Sequence, residues 1–236
     1  MQHNFDYETL LLDMHGTFMF GGDNFAPGTD YSRTYHELGG SLPAADVNRI
    51  IRRAHEYLSA RYADPGWFER FPTVADALEA TAGIYLRRPE VARLVQTFAV
   101  HEVGEISAIA VDALRLLASR FKVGLVTDIW SPKPLWLRAL ERHGLNNVFD
   151  VMVFSSDRGV VKPSPKAFGH CVDRLRANPR RTVVVGESVE RDLGGARAAS
   201  LDCVLVGGET HNEASANFGD LKQLARAAAL SPARLH

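Results

Sequence analysis

The amino-acid sequence predicts an α/β fold: a doubly wound parallel sheet with an all-helical segment inserted after its first strand. Five short apolar runs, rich in β-branched residues, are typical of strands that are buried on both faces. Amphipathic patterns with the helical repeat lie between these runs. A segment from about residue 20 to 100 has helical patterns and no convincing strand. Such alternation of strands and helices indicates a sheet covered on both sides, with one helical insertion.

The predicted sheet elements alternate regularly along the chain. The strand candidates are continuous apolar sequences, which a parallel strand covered by helices on both faces requires. Strands are predicted at residues 9–13 (TLLLD), 121–128 (FKVGLVTD), 149–156 (FDVMVFSS), 181–188 (RTVVVGES) and 201–208 (LDCVLVGG). Helices are predicted at residues 106–120, 132–143, 164–177, 189–199 and 217–229.

The remaining segment, residues 20–103, is predicted to form a helical cap domain. It begins with a Gly-rich exit from the first strand, GGDNFAPG. Ser41 is predicted to cap a helix within SLPAADVNRIIRRAHEYLSARY, with Pro43 near its first turn. FPTVADALEA and RPEVARLVQTFAVH predict two further helices. The core domain then comprises residues 1–19 and 104–236.

The composition argues against several classes of function. With 27 basic and 28 acidic side chains the net charge is −1, so the chain lacks the positive field that binds a nucleic-acid backbone. No segment approaches the ~18 apolar residues of a membrane span, and the N-terminus does not resemble a signal sequence. Cys171 and Cys203 stand in apolar surroundings that suit buried thiols in a reducing compartment. We therefore expect a cytoplasmic protein that binds neither nucleic acid nor membranes.

Polar side chains follow the first four strand candidates. In open α/β sheets, ligands bind beyond the carboxyl ends of the strands, near a switch in strand order. Taken singly, each side chain also has a structural explanation, as a helix cap or a solvated loop charge. Together, the acids can hold a divalent cation and supply a nucleophile, while a hydroxyl and an ammonium can hold a phosphoryl group. The residues are Asp13, Thr127, Asp128, Lys162, Glu187 and Asp192.

The segments that carry these residues resemble the motifs of the haloacid-dehalogenase-like hydrolases, most of which are Mg²⁺-dependent phosphatases. DMHGT is similar to the first motif of that family, VGLVTD to the second, GVVKPSPKAF to the third and VVVGESVERDLGGARAA to the fourth. The four occur in the family's order and cover nearly the whole chain outside residues 20–100. The resemblance implies that the helical segment is the cap of that family, inserted between the first two motifs.

The resemblance also implies a mechanism and a metal. Asp13 would attack phosphorus and form an aspartyl-phosphate, which water then hydrolyses. A hard cation such as Mg²⁺ prefers oxygen ligands. The implied ligands are the Asp13 carboxylate, the backbone carbonyl of His15, Glu187, and Asp192 through water.

A second set of residues would bind the phosphoryl group by the same resemblance. Lys162 and the Thr127 hydroxyl would stabilise its equatorial oxygens as charge shifts in the transition state. Gly16 would let the chain turn tightly, so that backbone N–H groups face the substrate. Thr17 and Asp128 complete the predicted substrate-binding set.

Two positions depart from the family's usual phosphatase pattern. Glu187 stands where aspartate is usual, which keeps the charge and adds one methylene. His15 takes the place of the second aspartate, the general acid that protonates the leaving group and later activates water. Imidazole can do both because its unperturbed pKa of ~6.5 lies near working pH. His15 is therefore the predicted acid/base.

Two alternatives stay open because relatives without an acid at this second position do other chemistry. One is a dehalogenase-type hydrolase, in which arginine receives halide; the other is a catalytically weak protein that binds a phosphorylated ligand or a protein partner. The cap arginines Arg33, Arg52, Arg53 and Arg61 are candidates for the first, although a solvated helix face explains each of them. Residues 20–100 contain no lysine, which argues against the relatives that cleave carbon–phosphorus bonds with a cap lysine. The leading prediction is a phosphatase for a small phosphorylated metabolite, acting as a monomer or homodimer.

Overall fold

The computed structural model describes residues 6–230, in which a run of helices separates the first two strands from the others. The strands are β1 Thr9–Leu12, β2 Met19–Phe20, β3 Glu105–Ile106, β4 Lys122–Thr127, β5 Val151–Phe154, β6 Thr182–Gly186, β7 Asp202–Val206 and β8 Ala216–Phe218. The helices are α1 Ser32–Glu37, α2 Ala44–Tyr62, α3 Val74–Thr81, α4 Arg88–Glu102, α5 Ala108–Ala118, α6 Pro134–Arg142, α7 Ser155–Arg158, α8 Pro165–Leu175, α9 Gly194–Ala198 and α10 Leu221–Leu230. A π-helical turn, Val189–Leu193, precedes α9.

The main sheet is parallel and has the strand order β5-β4-β1-β6-β7-β8. Strand β1 pairs with β4 on one side and with β6 on the other, and Leu12 lies level with Leu125 and Val185. The strand order therefore reverses at β1, since the chain builds outward to β5 before it returns to β6. This confirms the predicted doubly wound fold and puts the carboxyl ends of β1, β4 and β6 at one edge.

Successive residues of β1 point into two different hydrophobic clusters. Leu10 and Leu12 pack in a cluster with residues of α5, α6 and α10, whereas Leu11 packs in a cluster with residues of α8 and α9. All three leucines are fully buried. The continuous apolar sequence of the strand follows from this two-sided burial.

The chain enters and leaves the helical insertion, which we define as residues 32–102 with helices α1 to α4, through a two-stranded antiparallel ribbon of β2 and β3. A Cβ placed on Gly22 would lie 2.4 Å from the carbonyl oxygen of Glu102. A glycine is required at so close a backbone approach, which explains the Gly-rich exit after β1. The ribbon lies close to the predicted limits of 20 and 103, while the division into core and cap domains stays a prediction.

Some local predictions differ from the structure. Helix α2 begins at Ala44 with Pro43 as its N-cap, so the prediction that Ser41 caps this helix is wrong. Proline has no backbone N–H, but an N–H at the start of a helix would have no acceptor within the helix. The fixed φ of proline also suits the entry into a helix. The predicted helix over residues 189–199 is a π-helical turn followed by the short α9. Strands β2, β3 and β8 and helices α1 and α7 were not predicted, because segments this short do not establish a hydrophobic period.

Two expectations from the composition concern the state of the cysteines and the apolar length of the helices. Cys171 and Cys203 are buried and free, as predicted, and burial raises the pKa of Cys171 to about 12. None of the helices within residues 6–230 combines the length and apolar character needed to cross a lipid bilayer.

Candidate active site

Residues from four separate segments meet at the carboxyl edge of the sheet. Asp13 follows β1 directly, Thr127 is the last residue of β4, and Glu187 follows β6. Lys162 comes from the loop that joins α7 to α8, beyond β5. Since these strands are parallel and adjacent, their ends deliver the four residues to one place.

A buried group of three charges forms the centre of the site. The Lys162 ammonium lies 2.7 Å from Asp13 Oδ1 and 2.6 Å from Asp192 Oδ1, and all three side chains are buried. The second oxygen of Asp192 accepts hydrogen bonds from the backbone N–H groups of Glu187 and Ser188, each at 3.1 Å. Asp192 is thus fully engaged in fixing the lysine and the chain after β6.

The electrostatics keep Lys162 protonated. Burial alone would lower the pKa of Lys162, but the charges of Asp13, Asp192 and Asp128 outweigh it and hold the pKa well above its ordinary value. An ammonium bound to one oxygen of a buried carboxylate leaves the other oxygen, Oδ2 of Asp13, available for chemistry. The same ammonium reduces the repulsion between Asp13 and an anionic substrate.

Three polar atoms at the carboxyl ends of β1 and β4 are buried without a hydrogen-bond partner: Thr17 Oγ1, Thr127 Oγ1 and His15 Nε2. Buried polar groups in native proteins are nearly always paired, so each exception needs an explanation. Two hydroxyls and an imidazole nitrogen around a carboxylate–ammonium pair are the groups that would bind a phosphoryl oxygen. Thr17 and Thr127, both predicted from the sequence, therefore have the surroundings expected of ligand-binding groups.

His15 lies two residues beyond Asp13 and packs edge-on against Trp136, with ring centroids 4.9 Å apart. Burial lowers the pKa of His15, and the charge of Lys162 lowers it further. The charge of Asp23 and a hydrogen bond with the backbone of Asp128 act in the opposite direction. The imidazole is held in place at the site, with its Nε2 atom unpartnered.

The carboxylate of Glu187 lies against the turn that contains Gly16. Gly16 has φ +66°, and a Cβ at this position would lie 2.6 Å from the Glu187 Cγ atom. Only glycine tolerates both conditions, as predicted for this turn. Burial and then the charges of Asp192 and Asp13 raise the pKa of Glu187, so the three carboxylates are within electrostatic reach.

The predicted metal ligands differ in how far protein groups already engage them, and their role as ligands stays a prediction. Within residues 6–230, no three His, Cys, Asp and Glu side chains are arranged to hold a metal ion. Asp192 is occupied by Lys162 and two backbone N–H groups. Asp13, Glu187 and the backbone carbonyl of His15 remain as an oxygen donor set, which suits a hard divalent cation.

Asp128 is engaged with two protein groups, while its predicted contact with the substrate stays a prediction. Its carboxylate accepts a hydrogen bond from the Tyr62 hydroxyl at 2.8 Å and from the backbone N–H of Lys162 at 3.0 Å. Tyr62 also bonds to Arg191 through its carbonyl oxygen, at 2.6 Å. Sequence reasoning missed both residues; the position of Arg191 beside Asp192 was the one available signal, whereas Tyr62 lies in no motif.

A second missed residue joins the helical insertion to the loop after β4. Glu102, the last residue of α4, is buried and accepts hydrogen bonds from the backbone N–H groups of Trp130 at 2.6 Å and Ser131 at 2.9 Å. Burial raises the pKa of Glu102 to about 7. Because Trp130 and Ser131 follow Asp128 closely, this carboxylate also supports the catalytic edge.

Three of the four arginines weighed for a halide site are solvated, whereas Arg61 is half-buried and its Nε atom has no hydrogen-bond partner. Arg33, Arg52 and Arg53 are exposed. The Arg61 guanidinium stacks on the Tyr57 ring, 3.2 Å from its centroid. None of these contacts brings a cap arginine to Asp13.

Comparison with known proteins places the chain in a class. Residues 7–200 match the model of the haloacid dehalogenase-like hydrolases. The chain therefore belongs to this family and is a hydrolase, as the four motifs predicted.

Curated relatives match part of the chain. Over 99 residues, the chain is 36% identical to the pyrimidine 5'-nucleotidase YjjG of Escherichia coli. This match covers 41% of this chain and 43% of that protein. Over 93 residues, the chain is 33% identical to the glyceraldehyde 3-phosphate phosphatase of Methanopyrus kandleri. This match covers 39% of this chain and 39% of that protein. The matched region spans about two fifths of the length of these relatives.

Solved structures support the fold over nearly the whole chain. The HAD phosphatase from Thermococcus onnurineus matches with a TM-score of 0.63 and 21% identity, over 96% of this chain and 100% of that one. The 2-haloacid dehalogenase from Pseudomonas syringae pv. Tomato DC3000 matches with a TM-score of 0.62 and 21% identity, over 94% of this chain and 98% of that one. Since a phosphatase and a dehalogenase match equally well, the fold alone does not choose between them.

Proposed function

We propose that the protein is a Mg²⁺-dependent phosphatase that hydrolyses a small phosphomonoester through an aspartyl-phosphate on Asp13. The contact between Lys162 Nζ and Asp13 Oδ1 carries this proposal, because it pairs a buried nucleophile with a cation suited to a phosphoryl group. The unpartnered hydroxyls of Thr17 and Thr127 add two donors for phosphoryl oxygens. The phosphatases among the curated relatives support the same choice.

The covalent step follows from the contacts of Asp13. With Oδ1 bound to Lys162, the free oxygen Oδ2 attacks phosphorus, and the bond from phosphorus to the leaving oxygen breaks. The leaving alkoxide takes its proton from Nε2 of the His15 imidazolium; burial of His15 disfavours this form in the free protein, so the negative charge of the bound substrate must stabilise it. Water then attacks phosphorus, His15 takes back a proton, and phosphate and the free Asp13 carboxylate are released.

The metal would be held by Asp13, Glu187 and the backbone carbonyl of His15. When bound, Mg²⁺ supplies positive charge that polarises the phosphoryl oxygens. Asp192 contributes by orienting Lys162, and its predicted role as a ligand through water stays a prediction.

The helical insertion would act as the cap that covers the site and selects the substrate. Its contact with the core through Tyr62 and Asp128 supports this role. The substrate class we propose is a small phosphorylated metabolite, since Lys162, Thr17 and Thr127 provide donors for a phosphoryl group.

Phosphate release from an aryl phosphate tests the proposal. Purified protein should release phosphate with Mg²⁺, lose this activity with chelator, and lose it in the Asp13→Asn variant. Asp157→Asn is the matched control, since Asp157 lies on α7 in an exposed ion pair with Lys133.

The dehalogenase alternative is tested in the same preparation. His15 in place of an acid favours this alternative, whereas the Glu187 carboxylate, whose pKa the charges of Asp192 and Asp13 raise after burial, argues for a cation that would offset their repulsion. Halide release from a 2-chloroalkanoic acid that chelator does not affect, together with no phosphate release, would overturn the proposal.

A further inference from the structure

The backbone of Lys162 is held on both sides, in addition to its ammonium. Its N–H donates to Asp128 Oδ2 at 3.0 Å. Its carbonyl oxygen accepts a hydrogen bond from the Arg191 guanidinium. The peptide groups on either side of the Lys162 Cα are therefore fixed by two charged side chains.

The same two side chains also bind one residue of the helical insertion, Tyr62. Its hydroxyl donates to Asp128 Oδ2 at 2.8 Å, and its carbonyl oxygen accepts from Arg191 Nη2 at 2.6 Å. The Arg191 guanidinium also stacks on the Tyr62 ring, 3.8 Å from the centroid. Tyr62, Asp128, Lys162 and Arg191 thus form a closed ring of contacts, which we call the tyrosine ring.

The tyrosine ring connects the insertion to the segments that follow β4 and β6 and to the loop between α7 and α8. Tyr62 ends α2, Asp128 follows β4, and Arg191 lies in the π-helical turn beside Asp192. Asp192 in turn binds the Lys162 ammonium. A displacement of Tyr62 would therefore be transmitted to both the backbone and the ammonium partner of Lys162.

The insertion also contacts the loop between α7 and α8, which contains Lys162, through backbone hydrogen bonds. Phe71 N–H donates to the carbonyl of Gly159 at 2.7 Å, and Val161 N–H donates to the carbonyl of Phe68 at 2.8 Å. Removing the Tyr62 hydroxyl would leave this docking intact. The hydroxyl can therefore be tested separately from the attachment of the insertion.

We propose that Tyr62 and Arg191 are positioning residues that couple the seating of the helical insertion to the placement of the Lys162 ammonium against Asp13. With the insertion seated, both backbone polar groups of Lys162 are fixed and its ammonium is held at Asp13. When the insertion moves away, the ring opens and the lysine loses this alignment. The inference rests on the proposed role of Lys162 in phosphoryl transfer.

The expected size of the effect is moderate. A hydrogen bond to a charged acceptor contributes enough free energy that its loss changes a rate about 10-fold. Misplacement of a catalytic group by 1 Å can cost roughly 10²-fold. A variant that lacks only the Tyr62 hydroxyl should therefore lose about 10-fold in kcat, with roughly 10²-fold as the upper limit.

The kinetic test compares Tyr62→Phe with Tyr35→Phe. Tyr35 lies in the insertion, and its hydroxyl is buried without a partner, so its removal should leave kcat and KM unchanged. Tyr62→Phe should lower kcat about 10-fold with little change in KM. A rise in KM with kcat unchanged would make Tyr62 a substrate-binding residue and overturn the inference.

Arg191→Lys tests the other half of the ring. Lysine keeps the charge but cannot bond two carbonyl groups with a planar fork. The double variant Tyr62→Phe/Arg191→Lys should lose less than the product of the two single effects, since both act on one peptide segment. Strictly multiplicative effects would show that the two residues act independently.

Hydrogen exchange followed by NMR gives a readout that does not depend on turnover. In Tyr62→Phe, the Lys162 amide should exchange faster, while the Val161 amide stays protected by Phe68. Unchanged exchange at Lys162, or equal acceleration at both amides, would overturn the coupling even in an active enzyme. Absence of phosphate release by the wild-type protein would instead refute the proposed function and leave the exchange result to decide the coupling.

Discussion

Lys162 is the residue on which the charge balance of the site depends. Its ammonium lies between Asp13 and Asp192 at 2.7 and 2.6 Å, in surroundings that exclude water. Removing one partner from a buried ion pair leaves an uncompensated charge, which is more costly than loss of an exposed pair. The three side chains therefore constrain one another, and the nucleophile cannot be changed without disturbing the lysine.

At the same scale, His15 determines whether the leaving group receives a proton. We expect His15→Ala to lower kcat by roughly 10²- to 10⁴-fold, since general acid catalysis contributes about that factor. His15→Asp should retain most of the activity, because a carboxyl group restores a proton donor at this position. The measurement is kcat for an aryl phosphate that has a poor leaving group.

The control for this prediction is His36→Ala, an exposed histidine on α1 of the helical insertion. It should have wild-type kinetics. Equal activity of His15→Ala and the wild-type protein would remove the imidazole from the mechanism.

At the scale of elements, the sheet was predictable and the contacts between elements were not. Strand β1 reads as TLLL because both of its faces are covered, and this pattern is local in the sequence. The bond from Tyr62 to Asp128 joins residues 66 positions apart, and no pattern in either segment indicates the other. Asp192 illustrates the limit: its position after β6 was predicted, but its bond to Lys162 depends on packing.

The junction between α4 and the loop after β4 should make stability depend on pH. Burial raises the pKa of Glu102 to about 7, whereas an unfolded glutamate titrates near 4.5. Between these values the folded chain binds a proton that the unfolded chain has lost, so the free energy of unfolding falls as pH rises. The loss should be on the order of 3 kcal/mol between about pH 4.5 and 7, with little further change above.

Glu102→Gln should abolish this part of the pH dependence, which urea unfolding in metal-free buffer at several pH values would measure. The matched control is Glu105→Gln, because Glu105 is exposed on β3 three residues away. Its stability should follow the wild-type pH curve. Identical slopes for Glu102→Gln and the wild-type protein would contradict the assignment.

For the molecule as a whole, the positions of the candidate catalytic residues could be predicted from the sequence. The contacts that hold the insertion and the loops against the sheet could not. Strand-end residues such as Asp13 and Thr127 follow from a topological rule that places ligands at the carboxyl edge. The supports, such as Glu102 and Arg191, come from helix ends and loops whose approach depends on the packing of the insertion on the core. The same fold also accommodates phosphatases and dehalogenases, so the donors at the edge must decide the reaction.

Buried polar groups that have no partner within the protein should lower the stability of the molecule as long as no ligand is bound. Thr127 Oγ1 is buried without a partner, and an unpaired buried hydroxyl costs about 1–3 kcal/mol. Thr127→Val keeps the shape and removes that hydroxyl. We expect the free energy of unfolding to rise by about 1 kcal/mol and Tm by roughly 2–4 °C, while kcat falls by about 10²-fold through loss of a donor to the phosphoryl group.

Thr97→Val is the control for this prediction, and the opposite change in stability is expected of it. Thr97 is also fully buried, but its hydroxyl donates to the carbonyl oxygen of Arg93 at 2.8 Å. This variant should lose about 1 kcal/mol of stability and keep its kcat, because a satisfied hydrogen bond is removed far from the nucleophile. Thermal unfolding and kcat of both variants check the prediction together. Destabilisation of Thr127→Val with unchanged kcat would mean that its hydroxyl serves the fold and not the substrate.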